Sequence, residues 1–164
     1  MEIRKLNNAD NIDEISDIYA RSWKSAYSGI VPKEYLDGIK SDQWVEKLSG
    51  NQFDSFVILD ENKYIGTSAI CEARDEQMKG WGEIVSIYLL PEYVGKGYGK
   101  SLFTFVINHL LETGYKQIYL WVLEQNINAR LFYEKHGFHK NGDSLQIEIS
   151  GEKLTDIRYV KSYL

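Results

Sequence analysis

The chain has 164 residues, a net charge of −5, an apolar fraction of 43% and a charged fraction of 26%. These values are typical of a globular protein of one ordinary domain, so we expect a single domain over residues 1–164. The acidic balance argues against a nucleic-acid partner, which needs a basic face. No apolar run approaches the ~20 residues of a membrane span, and no signal-peptide pattern opens the chain, so we expect no membrane partner. The single cysteine, Cys71, excludes an intramolecular disulfide and favours a reducing, cytoplasmic location.

The first half of the chain predicts a strand, two helical stretches and a hairpin. Apolar residues recur at helical spacing between Ile12 and Ala26. A second helical stretch covers Pro32–Leu48 and is expected to break near Gly38. The predicted strands of this half are Glu2–Leu6, Phe53–Leu59 and Tyr64–Ala73, the last two joined by a polar turn.

The second half alternates strands and helices before a closing hairpin. Its first strand, Glu83–Leu90, is followed by a glycine-rich run and a helix whose apolar face lies between Leu102 and Leu111. The remaining predicted elements are a strand at Lys116–Leu123, a helix from Asn126 to His136, and strands at Leu145–Ile149 and Leu154–Val160. This order predicts a mixed α/β fold of the α+β type, with a mostly antiparallel central sheet and about four flanking helices.

The run from Val94 to Ser101 carries the clearest chemical signal. A strand, then glycines, then the start of a helix is a phosphate-binding arrangement, because glycines let the backbone approach an anion that the helix N-terminus attracts. Lys96 and Lys100 add positive charge there. The alternative is a plain connector, but each glycine loses backbone entropy on folding, and a connector does not need three alternating glycines.

Neither common nucleotide motif fits this run. A mononucleotide P-loop ending in Gly99-Lys100-Ser101 requires a glycine where Val94 stands. The dinucleotide fingerprint has the spacing Gly-x-Gly-x-x-Gly, with two residues before its last glycine. The run Gly95-x-Gly97-x-Gly99 has only one residue there. The sequence therefore indicates a different phosphate-bearing ligand.

Two segments resemble a known family. The stretch from Glu83 to Lys100 resembles the central motif of the GNAT superfamily of acetyl-CoA-dependent N-acetyltransferases, and the segment from Trp121 to Phe138 is similar to its second cofactor motif. The order of elements also matches along nearly the whole chain. One departure is Val94, where the family usually has Gln or Arg.

The resemblance implies an acetyl-CoA site in a sheet that splays at the cofactor. Backbone groups of Leu89 and Leu90 would pair with the pantetheine arm, and Asn126 would bind the same arm, although a helix N-cap is an equal alternative for it. The implied pyrophosphate ligands are Gly95, Lys96, Gly97, Tyr98, Gly99, Lys100 and Ser101.

Acetyl transfer to an amine needs a neutral amine, and a leaving thiolate that can be protonated. Glu83 is the candidate base, by its resemblance to the catalytic glutamate of histone acetyltransferases in this superfamily; the alternative is an ordinary exposed glutamate at a strand start. Tyr133 is the candidate general acid, because the family places a tyrosine next to the sulfur and a phenol can protonate a thiolate. The alternative for Tyr133 is a core aromatic.

The acceptor side is less specified. Trp23 and Tyr27 lie where the superfamily covers its acceptor cleft, and an aromatic wall can hold an amine by cation–π contact. Core packing is the alternative for Trp23. No residue spacing predicts a metal site. The sequence predicts an N-acetyltransferase that acts on a primary amine of an unidentified small molecule or peptide by direct attack in a ternary complex. The alternative is a catalytically weak or inactive acyl-CoA-binding module that serves as a sensor or partner domain. The oligomeric state stays open, and only the analogy with the superfamily, in which dimers are common, suggests a homodimer.

Overall fold

The computed structural model describes residues 1–164. Its seven strands are β1 (Glu2–Lys5), β2 (Asp54–Asp60), β3 (Lys63–Glu72), β4 (Gly82–Leu89), β5 (Gln117–Leu123), β6 (His139–Ile149) and β7 (Glu152–Ser162). Its five helices are α1 (Ile12–Ala26), α2 (Lys33–Asp37), α3 (Val45–Ser49), α4 (Tyr98–Glu112) and α5 (Ile127–Lys135). Short 3₁₀ turns occupy Glu76–Met78 and Pro91–Tyr93. None of the helices has the length and apolar composition needed to cross a lipid bilayer.

All strands form one sheet in the order β1-β2-β3-β4-β5-β7-β6. Every neighbouring pair is antiparallel except β4 and β5, which are parallel and are connected through α4. A parallel pair needs such a crossover, whereas the antiparallel pairs β2–β3 and β6–β7 need only short turns. The predicted mixed fold with a mostly antiparallel sheet is confirmed, with five helices in place of about four.

Helices cover both faces of the sheet. Successive residues of a strand point to opposite faces, and on β5 Val122 packs in the apolar cluster that contains α4, whereas Leu123 packs in a cluster with α1 and α2. The α4 cluster also receives Phe132 and Tyr133 of α5. After the two sites that the family resemblance implies, we call the face covered by α4 and α5 the cofactor face, and the face covered by α1, α2 and α3 the acceptor face.

The parallel pair β4–β5 is joined at one end only. Gly82–Ile84 pair with Ile118–Leu120, and beyond Ile84 the two strands have no pairing. On its other side β4 stays paired with β3, where the register skips Val85 between Ile84 and Ser86. An extra residue of this kind bends a strand and increases its twist. A gap therefore opens between Val85–Leu89 and Trp121–Leu123; we call it the sheet gap.

Two element boundaries differ from the sequence prediction. The predicted stretch Pro32–Leu48 breaks at Gly38 as expected, and it forms two five-residue helices separated by turns. β6 begins at His139, six residues before the predicted Leu145. The additional part is exposed and polar and contains Gly142, so it lacks the alternation by which a strand is recognised.

Candidate active site

The glycine-rich run forms an open loop that leads directly into α4. Gly95 and Gly97 have φ values of 79° and 91°, a left-handed conformation that glycine adopts without the steric cost of a side chain. Gly97 is the N-cap of α4, and no side chain caps this helix end. The two glycines thus turn the chain so that the amides of the first helical turn point outward and have no hydrogen-bond partner within the chain.

Six consecutive amides of this run have no hydrogen-bond acceptor in the chain. They belong to Gly95, Lys96, Gly97, Tyr98, Gly99 and Lys100. Four such orphan donors are expected at any helix start, and the positive end of the helix dipole adds to them. Ser101, the next residue, was also predicted to bind the pyrophosphate. Its amide and its hydroxyl are not free, because both already donate to the Gly97 carbonyl, at 3.2 and 3.3 Å.

The side chains around this loop leave it open to an anion. Lys96 and Lys100 are exposed, and the Lys96 ammonium lies 5.8 Å from the centroid of the Tyr93 ring. A Cβ added to Gly95 or Gly97 would meet no atom within 4 Å, so the space in front of the amides is free. A row of unpaired amides with nearby cations fits a pyrophosphate group.

Leu89 and Leu90 present their backbones in opposite directions. The Leu90 amide donates to the Ile65 carbonyl of β3 at 2.8 Å. Because backbone groups alternate in direction along a strand, the Leu89 amide faces away from β3, into the sheet gap. The predicted backbone role is therefore narrowed to Leu89, since the Leu90 amide is already engaged.

Contacts on both faces fix the position of Leu89. The Ser22 hydroxyl of α1 donates to the Leu89 carbonyl at 2.6 Å, so the amide is the Leu89 backbone group left for a ligand. A Cβ at Gly66 would stand 2.5 Å from the Leu89 side chain, and one at Gly99 would stand 3.5 Å from it. The gap-facing amide is thus held by a buried serine and by close packing against two glycines.

Tyr133 reaches the same gap from the cofactor face. Its ring packs on Phe103 at 5.6 Å between centroids, and its hydroxyl has no hydrogen-bond partner in the chain. Burial raises the pKa of this phenol, and Tyr27 raises it further. Tyr133 is therefore protonated at neutral pH and has a proton to donate.

Tyr27 lies on the acceptor face, in the apolar cluster with α1 and α2. Its hydroxyl is 3.1 Å from that of Tyr88 on β4, and burial raises the pKa of both phenols. Tyr133, from the opposite face, adds to the raised pKa of Tyr88. Trp23 stands behind Tyr27, at 4.7 Å between ring centroids, and packs against Trp44. The core-packing alternative for Trp23 fits this position.

Asn126 is the N-cap of α5, which is the alternative role that the sequence offered for it. Its Oδ1 accepts a hydrogen bond from the Ala129 amide at 3.3 Å, while its Nδ2 group has no partner in the chain. The cap role and a donor role toward a ligand are compatible, because they use different atoms of the same side chain.

Glu83 is buried and already hydrogen-bonded within the chain. It is 2% exposed, and its carboxylate accepts hydrogen bonds from the Arg74 side chain at 2.6 and 3.1 Å, the Arg74 amide at 3.2 Å and the Tyr119 hydroxyl at 2.8 Å. Burial alone would raise the pKa of Glu83, but these hydrogen bonds outweigh it and lower the pKa. It also lies where β4 and β5 are still paired. The alternative of an ordinary exposed glutamate is therefore wrong. The carboxylate is also not free, and its role as a base stays a prediction from the sequence.

Sequence reasoning missed three residues of the gap: Ser22, Tyr88 and Asp156. Asp156 lies on β7 opposite Leu123 and is half-buried, and its side chain makes no hydrogen bond or ion pair within the chain. The strand pattern contained a signal for it, because Leu154, Asp156 and Arg158 alternate onto one face of β7, and charged residues at such positions are rare unless they have a role. No group of three or more His, Cys, Asp or Glu side chains is placed to share a metal ion.

Comparison with known proteins now identifies the family. The model of the Acetyltransferase (GNAT) family matches residues 12–138. The chain belongs to this family. It is 28% identical over 150 residues to YuaI, an uncharacterized N-acetyltransferase of Bacillus subtilis, covering 90% of this chain and 86% of the other. It is 28% identical over 152 residues to a spermidine N(1)-acetyltransferase of Thermoplasma acidophilum, covering 84% and 88%.

A solved structure supports the fold and the ligand class of the GNAT family. The PaiA N-acetyltransferase from Thermoplasma acidophilum, crystallised with coenzyme A, superposes with a TM-score of 0.77 and 25% identity, covering 99% of this chain and 98% of the other. The resemblance expected from the two sequence motifs is confirmed.

Proposed function

We propose that this protein transfers the acetyl group of acetyl-CoA to a primary amine by direct attack in a ternary complex. The observation that carries the proposal is the row of six unpaired amides from Gly95 to Lys100, placed beside a sheet gap that contains a free amide and a free phenol. When bound, acetyl-CoA supplies an activated acetyl thioester. A pyrophosphate held at the amides would let its pantetheine arm extend along Leu89 in the gap.

The Leu89 amide is the proposed donor to the acetyl carbonyl oxygen. Its direction into the gap is fixed by the β3 ladder and by Ser22, so it needs no reorganisation when negative charge develops on that oxygen. A single donor of this kind typically contributes ~10²–10³ in rate. Asn126, through its unpaired Nδ2, is the proposed second contact to the arm.

Tyr133 is the proposed proton donor to the leaving sulfur. It has no competing partner in the chain, and its raised pKa keeps the proton on the phenol until the sulfur becomes negatively charged. The apolar surroundings that raise the pKa of the phenol also raise the proton affinity of a thiolate beside it. The transfer therefore remains close to balanced in energy.

The acceptor is the least specified part of the proposal. A lysine-like amine with a pKa of about 10.4 costs about 4.6 kcal/mol to deprotonate at pH 7, whereas a peptide α-amine near 7.8 costs about 1 kcal/mol. Named relatives act on both kinds: a spermidine acetyltransferase of Thermoplasma acidophilum and a ribosomal protein bS18 alanine acetyltransferase of Haemophilus influenzae. Tyr27 and Tyr88 supply an aromatic wall for either.

The test is thiol release from acetyl-CoA with a panel of polyamines, amino acids, aminoglycosides and peptides with free N-termini. We expect release that depends on at least one amine and yields the matching acetylated product by mass spectrometry. Calorimetry should show CoA binding at the same site, with loss of affinity when the Gly95–Lys100 loop is altered. Absence of CoA binding would refute the proposal.

The engagement of Glu83 by Arg74 and Tyr119 favours one alternative, an acyl-CoA-binding module without catalysis. CoA binding without turnover on any amine would support that alternative. A cytoplasmic location, a homodimer and a single-domain organisation stay predictions from the sequence.

A further inference from the structure

Asp156 is a carboxylate of the acceptor face that has no partner. Two other acidic side chains near this face have partners: Glu83 is bonded by Arg74 and Tyr119, and Asp75 by Arg158. Arg158, two residues from Asp156 on the same strand, is also bonded by Asp143 and Gln77. The nearest basic group on the same strand face is therefore committed elsewhere, and Asp156 is left free.

The register places Asp156 at the level of the reacting groups. Glu83 of β4 pairs with Tyr119 of β5. Leu123 lies four residues further along β5, and it pairs with Asp156 on β7. The same advance of four residues along β4, plus the extra residue Val85, reaches Tyr88. Asp156 thus lies across the sheet gap from Tyr88, one residue before the free amide of Leu89.

Tyr27 connects Asp156 with the other groups of the gap. Its hydroxyl bonds that of Tyr88, and the charge of Asp156 raises its pKa. Tyr27 in turn raises the pKa of Tyr133 on the opposite face. Asp156, on the face of Tyr27, and Tyr133, on the opposite face, therefore both act electrostatically on the Tyr27 phenol. Together with the register, this favours a proton acceptor and a proton donor on two sides of one gap.

Burial raises the pKa of Asp156, and no cation offsets the effect. An unpaired, half-buried carboxylate lowers stability, and groups of this kind are concentrated at functional sites. A bound ammonium group would supply the missing partner.

We propose that Asp156 binds the ammonium group of the acceptor and takes its first proton, so that the substrate class is an alkyl amine that is cationic at neutral pH. This proposal rests on the acetyl-transfer function proposed above. Loss of one proton to Asp156 gives a neutral amine whose nitrogen forms a bond to the acetyl carbon. The carbon–sulfur bond breaks, and the sulfur leaves with its electron pair.

The protons balance without a further reactant. The leaving sulfur takes a proton from Tyr133, and the second proton lost by the nitrogen restores that phenol. The proton on Asp156 is released to water, so one ammonium and one thioester give one amide, one thiol and one proton. Every group in this scheme except the two substrates belongs to the gap.

The test compares Asp156→Asn with Glu152→Gln, an exposed carboxylate on the same strand. The probes are spermidine, 1,4-diaminobutane and a lysine-containing peptide with a blocked N-terminus. For the best of these amines, we expect Asp156→Asn to lower kcat/KM by about 10²-fold. Amine binding to the CoA-loaded protein, measured by calorimetry, should weaken about tenfold or more. The CoA affinity of Asp156→Asn should stay within about twofold of the wild-type value. In Glu152→Gln, both kcat/KM and amine binding should stay within about twofold of wild type.

Thermal unfolding separates a catalytic role from a structural one. Removal of an unpaired carboxylate should leave the Tm of Asp156→Asn unchanged or raised, and Asp156→Ser repeats the test with a smaller side chain. Equal kcat/KM and amine binding in Asp156→Asn and Glu152→Gln would overturn the role of Asp156 while leaving acetyl transfer intact. A wild-type protein that binds CoA and amine without turnover would refute the proposed function, and loss of amine binding in Asp156→Asn would still support the binding role. Absence of amine binding in the wild type would overturn that role.

Discussion

The two ends of the β4–β5 pair differ in how completely the protein satisfies its own polar groups. At the paired end, Gly82–Ile84 bond Ile118–Leu120, and the Glu83 carboxylate accepts four hydrogen bonds from Arg74 and Tyr119. At the open end, the strands part and leave an amide on Leu89, a phenol on Tyr133 and a carboxylate on Asp156 without partners.

The paired end of β4 therefore stabilises the fold, whereas its open end is suited to bind a ligand. Folded proteins satisfy nearly all of their polar groups that are shielded from water, so partly buried groups that lie together without partners indicate a site completed by a ligand. Glu83 and Asp156 are both acidic and lie on the same face of the sheet, yet the pKa of Glu83 is lowered and that of Asp156 is raised. Substitutions at the open end should change activity, and those at the paired end should change stability.

The largest expected effect is on turnover. Tyr133→Phe should lower kcat about 10²-fold, because the proton donor to the sulfur is lost, while CoA affinity stays within about twofold. Tyr115 offers a matched control, since burial also raises the pKa of its phenol but it lies before the start of β5, at the paired end. Single-turnover kinetics measure the effect. Equal rates for Tyr133→Phe and Tyr115→Phe would remove the acid role.

A loss of stability is expected at the paired end. Glu83→Gln should lower the free energy of unfolding by about 1–3 kcal/mol, since it replaces the charged acceptor of hydrogen bonds from Arg74 and Tyr119. Denaturant unfolding with a parallel rate assay checks this, and kcat should stay within about threefold of wild type. A far larger loss of kcat at full folding would restore Glu83 as a base.

The same carboxylate gives a pH dependence of stability. The pKa of Glu83 is lower in the folded state than in the unfolded chain, so its stabilising contribution is present above the unfolded pKa and is lost as the pH falls through the folded pKa. The stability difference between wild type and Glu83→Gln should therefore shrink on acidification. A difference that grows at low pH would contradict the observed contacts.

An effect of about tenfold is expected in the phosphate loop. Gly97→Ala places a side chain at a φ of 91°, which strains the loop and displaces its free amides, so CoA affinity should fall about tenfold. Gly142→Ala on β6 is the control, since its φ of 93° and open surroundings give a comparable strain. Calorimetry should show a loss only for Gly97→Ala. A loss shared by both variants would point to general destabilisation.

The smallest effect is expected at Val94, which is 62% exposed beside the loop. Val94→Arg adds a cation there, and one exposed ion pair contributes about 0.2–1 kcal/mol, so CoA affinity should rise by about 1.4- to fivefold at low salt. The gain should fade as ionic strength increases. Unchanged affinity at low salt would show that residue 94 faces away from the ligand.

Local pattern predicted the parts of the site that depend on backbone. The strand, the glycines and the helix start were all found from the sequence, because positive-φ glycines and a helix N-terminus have local signatures. The sequence did not reveal that the amides of Leu90 and Ser101 are already engaged. The Leu90 amide bonds β3, and the Ser101 amide makes the first hydrogen bond of α4.

Side-chain roles depended on contacts that sequence spacing does not contain. The burial and engagement of Glu83 were not predicted, because its partner Arg74 comes from the turn after β3 and Tyr119 from β5. Asp156 was missed because its isolation is a property of the fold: its nearest basic neighbour on the strand, Arg158, is held by Asp75 and Asp143. Only the alternation of charged residues on the inward face of β7 pointed to it.

The most direct test is a backbone amide titration with CoA by two-dimensional NMR. The open end should respond, with the largest shifts at Gly95–Lys100 and at Leu89, while Glu83 and Tyr119 at the paired end stay nearly unchanged. Large shifts at Glu83 and Tyr119 with none in the glycine loop, or no shifts at saturating CoA, would contradict the assignment of the open end as the cofactor site.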